Sequence, residues 1–517
     1  MNKPPQAIRL VSAFFTVGIW TFSSRIAGFV RDILIAAFFG SGPVAEAFQV
    51  AFALPNMFRR FFAEGAFNMA FVPMFSKKLE VSQDARAFAT DAFSALASVL
   101  IGLTLIAQIF MPWFVFAMAS GFEGDARFDL AVVFGRICFP YILFISLAAL
   151  LSGVLNATGR FAAAAAAPVL LNFIIVTAMS AAYYAEWDVA QALVWSIPVA
   201  GIAQMALVWW AANKAGLRLV PHLPRMTPEL KRLAIIALPA AMAGGVVQIN
   251  LLVGRQVASY FDGAIQWLAV ADRLYQLPLG VVGIAIGVVL LPDLSRKIRA
   301  DDVDGGRYAY NRAAEFALAL TIPAAVALFI AATPLISVLF QRGAFSANDA
   351  TSTAAALAIY SLGLPAFVFQ KVIQPLYFAR EDTKTPFYYA LAAMVVNLVV
   401  AIGLSYSIGY LSSAVAVTLS AWGMSVMLWL GAKGMGDAAK FDARFFKTLP
   451  RIILASLIMG GVVYVVQLNL ADALNTAGLR YIALLALVLS GMLAYTVALL
   501  GLGAYTLPEI RRMVKRG

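Results

Sequence analysis

Long runs of apolar residues, separated by short polar breaks, dominate the pattern along the chain. Fourteen such blocks have these approximate bounds: 10–38, 44–73, 88–118, 128–154, 162–186, 190–212, 230–260, 264–293, 311–340, 351–378, 385–408, 411–432, 447–469 and 479–506. About 20 apolar residues span a bilayer as a helix, so each block is long enough to cross a membrane. Lipid offers backbone polar groups no partner, which favours helices. The pattern predicts an all-α polytopic membrane protein with about fourteen transmembrane helices.

Composition excludes a water-soluble enzyme. Of the 517 residues, 62% are hydrophobic and 12% are charged, whereas soluble domains average about 45–50% apolar and about 25% charged residues. Cys138 and His222 are the single cysteine and the single histidine. A disulfide within the chain, a cysteine or histidine zinc site and a histidine-based catalytic triad are therefore excluded. His222 stands in a polar, proline-flanked stretch and is expected to be a solvated loop residue.

Basic residues are distributed unequally between the two sides of the membrane. If the N-terminal side is named side A, helix alternation places 27 Lys and Arg residues in side A segments and four in side B segments. The side B residues are Arg127, Arg136, Arg342 and Arg480. The positive-inside rule makes side A cytoplasmic, so both termini are expected in the cytoplasm.

A faint internal repeat indicates two sets of six helices. Pro73 and Pro292 stand in similar sequences, and so do Pro168 and Pro386. The separation within the first pair is nearly equal to the separation within the second, as a repeated unit requires. The predicted organisation is an N-lobe at 1–220, a C-lobe at 225–433 and two C-terminal helices at 434–517. Two six-helix lobes with the same topology are typical of transporters whose substrate site lies between the lobes.

Seven basic residues remain inside the predicted helices: Arg25, Arg31, Arg59, Arg60, Arg255, Arg273 and Lys371. Acidic residues within the same helices include Asp32, Glu46, Glu64 and Asp272. Charges within a bilayer are costly and usually face a polar cavity. The positive excess suits an anionic substrate, because guanidinium groups bind phosphate oxygens bidentately and stay protonated. Arg31 and Asp32, which are adjacent in sequence, are expected to pair with other helices rather than with each other.

The sequence says less about the energy source of transport than about the substrate. The chain has no Gly-x-x-x-x-Gly-Lys-Ser/Thr motif, so ATP is not expected to drive transport directly. No cofactor or tight metal site is expected, and Asn397 and Thr418 are weak candidates for sodium ligands. Coupling to the membrane potential or to a monovalent ion is expected, since the potential supplies about 2.3 kcal/mol per charge per 100 mV.

Several motifs carry a resemblance to a known family. They are FSSRIAGFVRD at 22–32, LPNMFRRFFAEGAF at 54–67, FPYIL at 139–143, ADRL at 271–274 and DTKTP at 382–386. Together they closely resemble the MviN/MurJ family of bacterial lipid II flippases, and the resemblance covers essentially the whole chain. The run at 54–67 is the most specific of these motifs.

The resemblance implies the fold of the multidrug/oligosaccharidyl-lipid/polysaccharide exporter superfamily, with a central cationic cavity and a groove for the undecaprenyl tail on the last two helices. It implies a transporter that moves lipid II between the leaflets of the bacterial inner membrane by alternating access, for cell wall synthesis. The residues expected to bind the diphosphate or line the cavity are Arg25, Arg31, Asp32, Arg59, Arg60 and Arg273. Gate or ion-pair candidates are Glu46, Glu64, Asp272, Lys371 and Arg255.

Two of these candidates fit the family pattern less closely. Many members carry Asp where this chain has Glu46, and Arg255 is a candidate by charge alone. The expected partners are lipid II, membrane lipids and other cell wall synthesis proteins, with no nucleic acid.

Three other functions remain open at this point. A flippase for another undecaprenyl-linked glycan has the same requirements. A multidrug antiporter of the same fold would need an excess of acidic residues within the helices. A membrane transferase would need an acidic metal site, for which Asp301, Asp302 and Asp304 form the densest cluster, in a loop expected to be solvated.

Overall fold

The computed structural model describes residues 10–60, 66–80, 84–506 and 508, and the regular elements within them are all helices. Contacts divide the chain into two compact units, Met1–Leu252 and Val253–Gly517. Helices within the first unit are α1 Leu10–Phe39, α2 Pro43–Arg59, α3 Ala66–Glu80, α4 Ala85–Met118, α5 Ala126–Cys138, α6 Tyr141–Ala157, α7 Ala162–Tyr184 and α8 Val189–Lys214. The next helix, α9 Pro228–Ala258, contains the boundary.

Helices within the second unit are α10 Ala264–Arg299, α11 Val303–Ile330, α12 Ala332–Phe340, α13 Ala347–Phe378, α14 Lys384–Ile408, α15 Leu411–Ala432, α16 Ala443–Asn469, α17 Ala471–Asn475 and α18 Arg480–Gly501. Each predicted block coincides with one helix or with two consecutive helices. Ten spans among the described residues are long and apolar enough to cross a membrane. The predicted all-α polytopic fold is therefore confirmed, whereas the lobe limits at 220, 225 and 433 stay predictions.

Proline explains the breaks in two of the predicted blocks. The block at 128–154 breaks between α5 and α6 at Pro140, and the block at 311–340 breaks between α11 and α12, just before Pro334. Proline has no N–H to donate to the carbonyl four residues earlier, and its ring crowds that carbonyl. Arg127 and Arg136, which helix alternation assigned to side B segments, lie within α5.

Small and polar residues hold the helices of the first unit together. A Cβ atom on Gly201 in α8 would lie 2.8 Å from Tyr141 and 3.2 Å from Phe144, so glycine lets α8 approach α6 closely. The Tyr141 hydroxyl donates to Gln204 Oε1 at 3.1 Å, and Gln204 Nε2 donates to the Ala167 carbonyl at 2.7 Å. One buried polar chain therefore connects α6, α8 and α7.

In the second unit, α13 is central and packs on α10, α11 and α15. Gln370 Nε2 donates to the Ala421 carbonyl at 2.8 Å, and the Tyr377 hydroxyl donates to the Leu428 carbonyl at 2.6 Å. These bonds join α13 to α15 at two levels along the helices. Buried donors satisfied in this way give neighbouring helices a defined register in an apolar environment.

An ion-pair network ties the start of α16 to α11. Arg312 Nη1 binds Glu315 Oε2 at 2.7 Å, and Arg312 Nη2 binds Asp442 Oδ2 at 2.5 Å. Asp442 also accepts from the backbone N–H of Phe445, so it caps the N-terminus of α16. The backbone N–H of Asp442 donates to Asn311 in α11 at 2.9 Å. The last transmembrane helices are thus anchored to the body of the second unit.

The ends of α8 and α15 repeat one local feature. Lys214 lies over the Trp210 ring at 5.1 Å, and Lys433 lies over the Trp429 ring at 4.2 Å. The second pair follows the first at the same separation that divides Pro73 from Pro292, which is the offset of the sequence repeat. A tryptophan beside a lysine suits the headgroup level of a membrane, so the two helices end alike.

Two adjacent glycines in α16 provide a test of how it packs on α11. A Cβ on Gly460 would lie 2.7 Å from Val326 and 2.8 Å from Ile330, whereas a Cβ on Gly461 would have no heavy atom within 4 Å. Gly460→Val is therefore expected to lower the Tm of the detergent-solubilised protein by several degrees, because overpacking costs about 1–3 kcal/mol. Gly461→Val is the matched control and should leave Tm nearly unchanged. Equal shifts in the two variants would contradict close packing at Gly460.

Candidate functional site

Arg31 is buried in the first unit and is held on three sides. Its Nε and Nη2 donate to Asp32 Oδ1 at 3.0 and 2.8 Å, and its Nη1 donates to Asn172 Oδ1 at 2.9 Å. The Phe52 ring centroid lies 6.0 Å from the guanidinium carbon. Three of the five guanidinium N–H groups are thus occupied, so Arg31 is positioned by the protein before any ligand arrives.

Asn172 connects this arginine to two helices. Its Nδ2 donates to the Ser24 carbonyl in α1 at 3.1 Å and to the Pro168 carbonyl in α7 at 3.3 Å. Gly28 lies opposite, and a Cβ there would be 3.4 Å from Asn172 Nδ2. Glycine at 28 therefore leaves room for the amide between the helices. The result is a polar contact between α1 and α7 with Arg31 at its centre.

The prediction that Arg31 and Asp32 do not pair with each other is wrong. The two residues do pair with each other, because the long arginine side chain bends back along the helix to reach the neighbouring carboxylate. The other half of the expectation, that Arg31 reaches a second helix, is met by Asn172 rather than by an acidic residue.

The other predicted cations of the first unit are more accessible. Arg25 and Arg60 are exposed, and Arg59 is half-buried, with its Nε donating to Asn56 Oδ1 at 3.3 Å. Glu64 lies outside the described residues. Of the four arginines predicted for the site in the first unit, Arg31 is enclosed by protein and the other three have partly or fully exposed side chains.

Glu46 forms a buried ion pair with Arg127, which the sequence analysis had assigned to a side B segment. Its side chain is 1% exposed, and its Oε2 accepts from Arg127 Nη1 at 3.0 Å. Arg127 also binds Asp125 at 2.5 Å and lies over the Phe122 ring at 4.6 Å. Asp125 caps α5 by accepting from the backbone N–H of Arg127 at 3.0 Å, and this bond lowers the pKa of Asp125 below its usual value. The network fixes the start of α2 to the start of α5.

The second unit has a contact in a similar place. Trp267, in the first turn of α10, donates from Nε1 to Asp349 Oδ1 at 2.8 Å. Asp349 belongs to the capping box with Ser346 at the start of α13. Trp267 is the counterpart of Phe48 in α2 at the offset of the sequence repeat. In each unit, one buried polar contact beside a helix cap therefore joins the starts of two helices.

The predicted residues of the second unit fall into two environments. Asp272 accepts from Gln276 Nε2 one turn later in α10, and Asp272 and Arg255 both lie within electrostatic range of the buried Tyr360. Arg273 is half-buried, and Lys371 is exposed on α13. Arg255 and Asp272 thus both lie near the same tyrosine.

The sodium candidates are both buried, with Asn397 1% and Thr418 8% exposed. The Thr418 hydroxyl donates to the Ile359 carbonyl of α13 at 3.0 Å. No group of three or more His, Cys, Asp or Glu side chains suited to a metal occurs among the described residues. A sodium site at Asn397 and Thr418 stays a prediction.

Two functional candidates, Arg127 and Asn172, were not predicted from the sequence. Arg127 stood in a segment taken for a loop, although Asp125 before it was a signal for a helix start. Asn172 is uncharged, so a search for charged residues within the helices does not find it. Its position as a lone amide within the apolar block at 162–186 was a usable signal.

An apolar cavity of about 260 Å³ lies in the second unit between α11, α12, α16 and α18. Ala327, Leu335, Met459, Leu487 and Gly491 are among its lining residues. Its apolar walls suit a hydrocarbon chain rather than a polar headgroup.

The Glu46–Arg127 pair supports a double-mutant cycle. Arg127→Gln is expected to destabilise the protein by about 3–5 kcal/mol, because it removes the cation that balances a buried carboxylate. Adding Glu46→Gln should restore much of that loss, since two neutral side chains can still hydrogen-bond. Urea or thermal unfolding of the detergent-solubilised variants measures this coupling. Additive effects of the two changes would show that the pair does not act as one unit.

Comparisons with known proteins agree with this architecture. A family model described as "Lipid II flippase MurJ" matches residues 35–482. The chain is 43% identical to "Probable lipid II flippase MurJ" of Rhizobium meliloti (strain 1021), over 98% of this chain and 97% of that protein. It is 36% identical to "Lipid II flippase MurJ" of Burkholderia cenocepacia, over 89% of this chain and 91% of that protein.

Solved structures give the same result. A structure titled "Lipid II flippase MurJ, inward closed conformation" matches with a TM-score of 0.78 and 26% identity, over 93% of this chain and 97% of that chain. An inward-facing multidrug resistance MATE family transporter of the MOP superfamily matches with a TM-score of 0.70 and 13% identity, over 81% of this chain and 96% of that chain, and so shares the fold. The chain therefore belongs to the lipid II flippase MurJ family, and it is a multi-pass membrane transporter rather than an enzyme.

Proposed function

We propose that this chain moves lipid II from the cytoplasmic to the periplasmic leaflet of the bacterial inner membrane by alternating access. The observation that carries the proposal is the family match across residues 35–482 in a chain with arginines on α1, α2 and α10. Lipid II bears a diphosphate, an apolar tail and a polar sugar-peptide headgroup. Guanidinium groups suit the diphosphate because their planar N–H forks match its oxygens.

The arginines divide into two roles in this proposal. Arg31 is held by Asp32 and Asn172, so it supplies a fixed positive charge with two N–H groups left for an oxyanion. Arg25, Arg60 and the half-buried Arg273 lie outside that enclosure and can follow the ligand as it moves. Arg59 is intermediate, since Asn56 restrains its Nε.

The surroundings of Glu46 and Asp272 favour a role in positioning other groups of the protein. Glu46 is fully engaged with the start of α5, which argues for a structural link at the start of α2 rather than for direct substrate contact. Asp272 and Arg255 share the environment of Tyr360, and we propose that they set the charge balance around Arg273. Lys371 remains a gate candidate by its exposure alone.

The apolar cavity is the proposed site for part of the undecaprenyl tail. Its walls come from α11, α12, α16 and α18, and the Tyr495 hydroxyl holds α18 to α11 through the Ala319 carbonyl at 2.6 Å. Burial of apolar surface stabilises binding by about 25 cal/mol per Å². A tail held here would keep the lipid associated with the transporter while its headgroup crosses.

Three further predictions rest on the sequence alone. Cytoplasmic termini follow from the distribution of basic residues. Coupling to the membrane potential or to a monovalent ion stays a prediction, as does association with other cell wall synthesis proteins. The alternatives, another undecaprenyl-linked glycan or a drug as substrate, are not favoured by the relatives found.

Arg273→Ala tests the diphosphate assignment. The variant is expected to reach the membrane in normal amounts and to fail to support growth of cells depleted of their own flippase, because a charge that binds the substrate has been removed. Arg296→Ala in the same helix is the matched control, since Arg296 is 74% exposed and pairs with Asp293 at the surface at 3.4 Å. Full growth with Arg273→Ala would overturn the assignment.

Ala327→Phe tests the tail site by filling the cavity. It should weaken binding of undecaprenyl diphosphate by about tenfold, which corresponds to about 1.4 kcal/mol of lost contact. Binding of farnesyl diphosphate, whose tail is too short to depend on the whole cavity, should change little. Leu485→Phe, at a position 57% exposed on α18, is the control. Native mass spectrometry of the purified variants provides the measurement, and equal loss for both lipids would contradict a tail site.

A further inference from the structure

Two prolines remove the partners of two backbone carbonyls at one level of the first unit. Pro112 lies within α4, and the backbone at Phe110 departs from helical geometry there, with φ −97° and ψ 19°. Pro140 lies between α5 and α6. Since proline cannot donate, the carbonyls four residues earlier, at Gln108 and Arg136, have lost their usual helical partners. In an apolar environment such carbonyls must find other donors.

The side chains of the same two residues supply the donors. Gln108 Nε2 donates to the Arg136 carbonyl at 2.8 Å, and Arg136 Nε donates to the Gln108 carbonyl at 3.2 Å. Each residue therefore satisfies the carbonyl that a proline has left open in the other helix. The exchange joins α4 to α5 and fixes the depth and direction of the Arg136 guanidinium.

This guanidinium lies within the membrane-spanning part of the chain, towards one edge of the hydrocarbon core. Arg136 is ten residues after the start of α5 at Ala126, and Gln108 is ten residues before the end of α4 at Met118. At about 1.5 Å per residue, both lie about 15 Å from those helix ends. The spans Ala126–Ala157 and Ala85–Met118 have 32 and 34 residues, so they are about 48 and 51 Å long and exceed the hydrocarbon core, which is about 30 Å thick. Arg136 and Gln108 lie about 8–10 Å from the middles of these spans, which is inside the core but close enough to its edge for an arginine side chain to reach a lipid phosphate. Arg136 is thus a further cation within the spans.

The surroundings of Arg136 are exposed and apolar. Arg136 itself is exposed, as are Val133 in α5 at 47%, Ile109 in α4 at 70% and Trp113 in α4 at 71%. Within the part of the chain that the structure describes, no carboxylate pairs with Arg136, and its Nη1 and Nη2 make no hydrogen bond. An arginine at this depth is costly unless an anion or water reaches it.

We propose that Arg136 binds the phosphate of an anionic lipid, whose hydrocarbon chain packs on Ile109, Val133 and Trp113. The two Nη groups lie side by side, and their N–H groups match two phosphate oxygens in the bidentate geometry of arginine–phosphate pairs. The carbonyl of Gln108 occupies Nε and keeps the fork turned outward. A bulk phospholipid and an isoprenoid phosphate offer the same oxyanion, so either can be the source. This site uses none of the residues assigned to lipid II transport.

Photocrosslinking from Val133, one helical turn from Arg136, tests the proposal. The full chain carrying Val133→p-benzoylphenylalanine is placed in vesicles of phosphatidylethanolamine with a minority of phosphatidylglycerol, with and without undecaprenyl phosphate. Mass spectrometry of the adducts should show anionic lipids enriched several-fold over their share of the vesicle. The same probe at Ile202 in α8, which is 52% exposed, should give adducts in the bulk ratio.

Substitutions of Arg136 identify the cause of the enrichment. Arg136→Gln should abolish the enrichment at Val133, and Arg136→Lys should keep part of it, because charge is retained without the fork. Enriched phosphatidylglycerol and enriched undecaprenyl phosphate both support the site and tell the two sources apart. Adducts in the bulk ratio in the unaltered Arg136 background, unchanged enrichment in Arg136→Gln, or adducts to a protein in place of lipid would overturn it. The first of these outcomes is decisive even if Arg136→Gln fails to fold.

Discussion

The constraint on which this structure depends is that a bilayer supplies no partner for charged and hydrogen-bonding groups. Every such group inside the helices must be matched by another part of the protein or by a ligand. Arg31 is matched by Asp32 and Asn172, and Glu46 is matched by Arg127. The Arg31–Asn172 and Glu46–Arg127 contacts each join one helix to another. The polar groups that make the chain functional therefore also determine how its helices pack.

The same constraint separates two kinds of arginine. Arg31 and Arg127 have lost most of their exposure and form hydrogen bonds to side chains that are themselves fixed. Arg25 and Arg60 remain exposed. A transporter needs both kinds, because a ligand must meet charges that are already positioned and must also leave them. Enclosed arginines meet the first requirement, and exposed arginines, which lose less on release, meet the second.

Much of the fold could be predicted from the sequence, because apolar periodicity at the scale of a bilayer is a strong signal. All fourteen blocks correspond to helices, and the repeat offset reappears in the Trp210–Lys214 and Trp429–Lys433 pairs. The candidate site was less predictable. A charge count finds Glu46 but not its partner, since Arg127 is 81 residues away and its position depends on where a helix begins. Asn172 carries no charge and was missed for that reason.

Helix breaks show why counting charges by segment can mislead. Arg136 was counted with side B, although it lies inside the predicted block at 128–154. The structure places it in the last turn of α5, four residues before Pro140. A proline that opens a carbonyl creates a need for a donor, and arginine can meet that need while still offering two further nitrogens. A cation at such a break can thus stabilise the bent helix and bind an anion at the same time. Prolines four residues after a polar side chain are therefore positions at which function within a membrane can be sought from sequence.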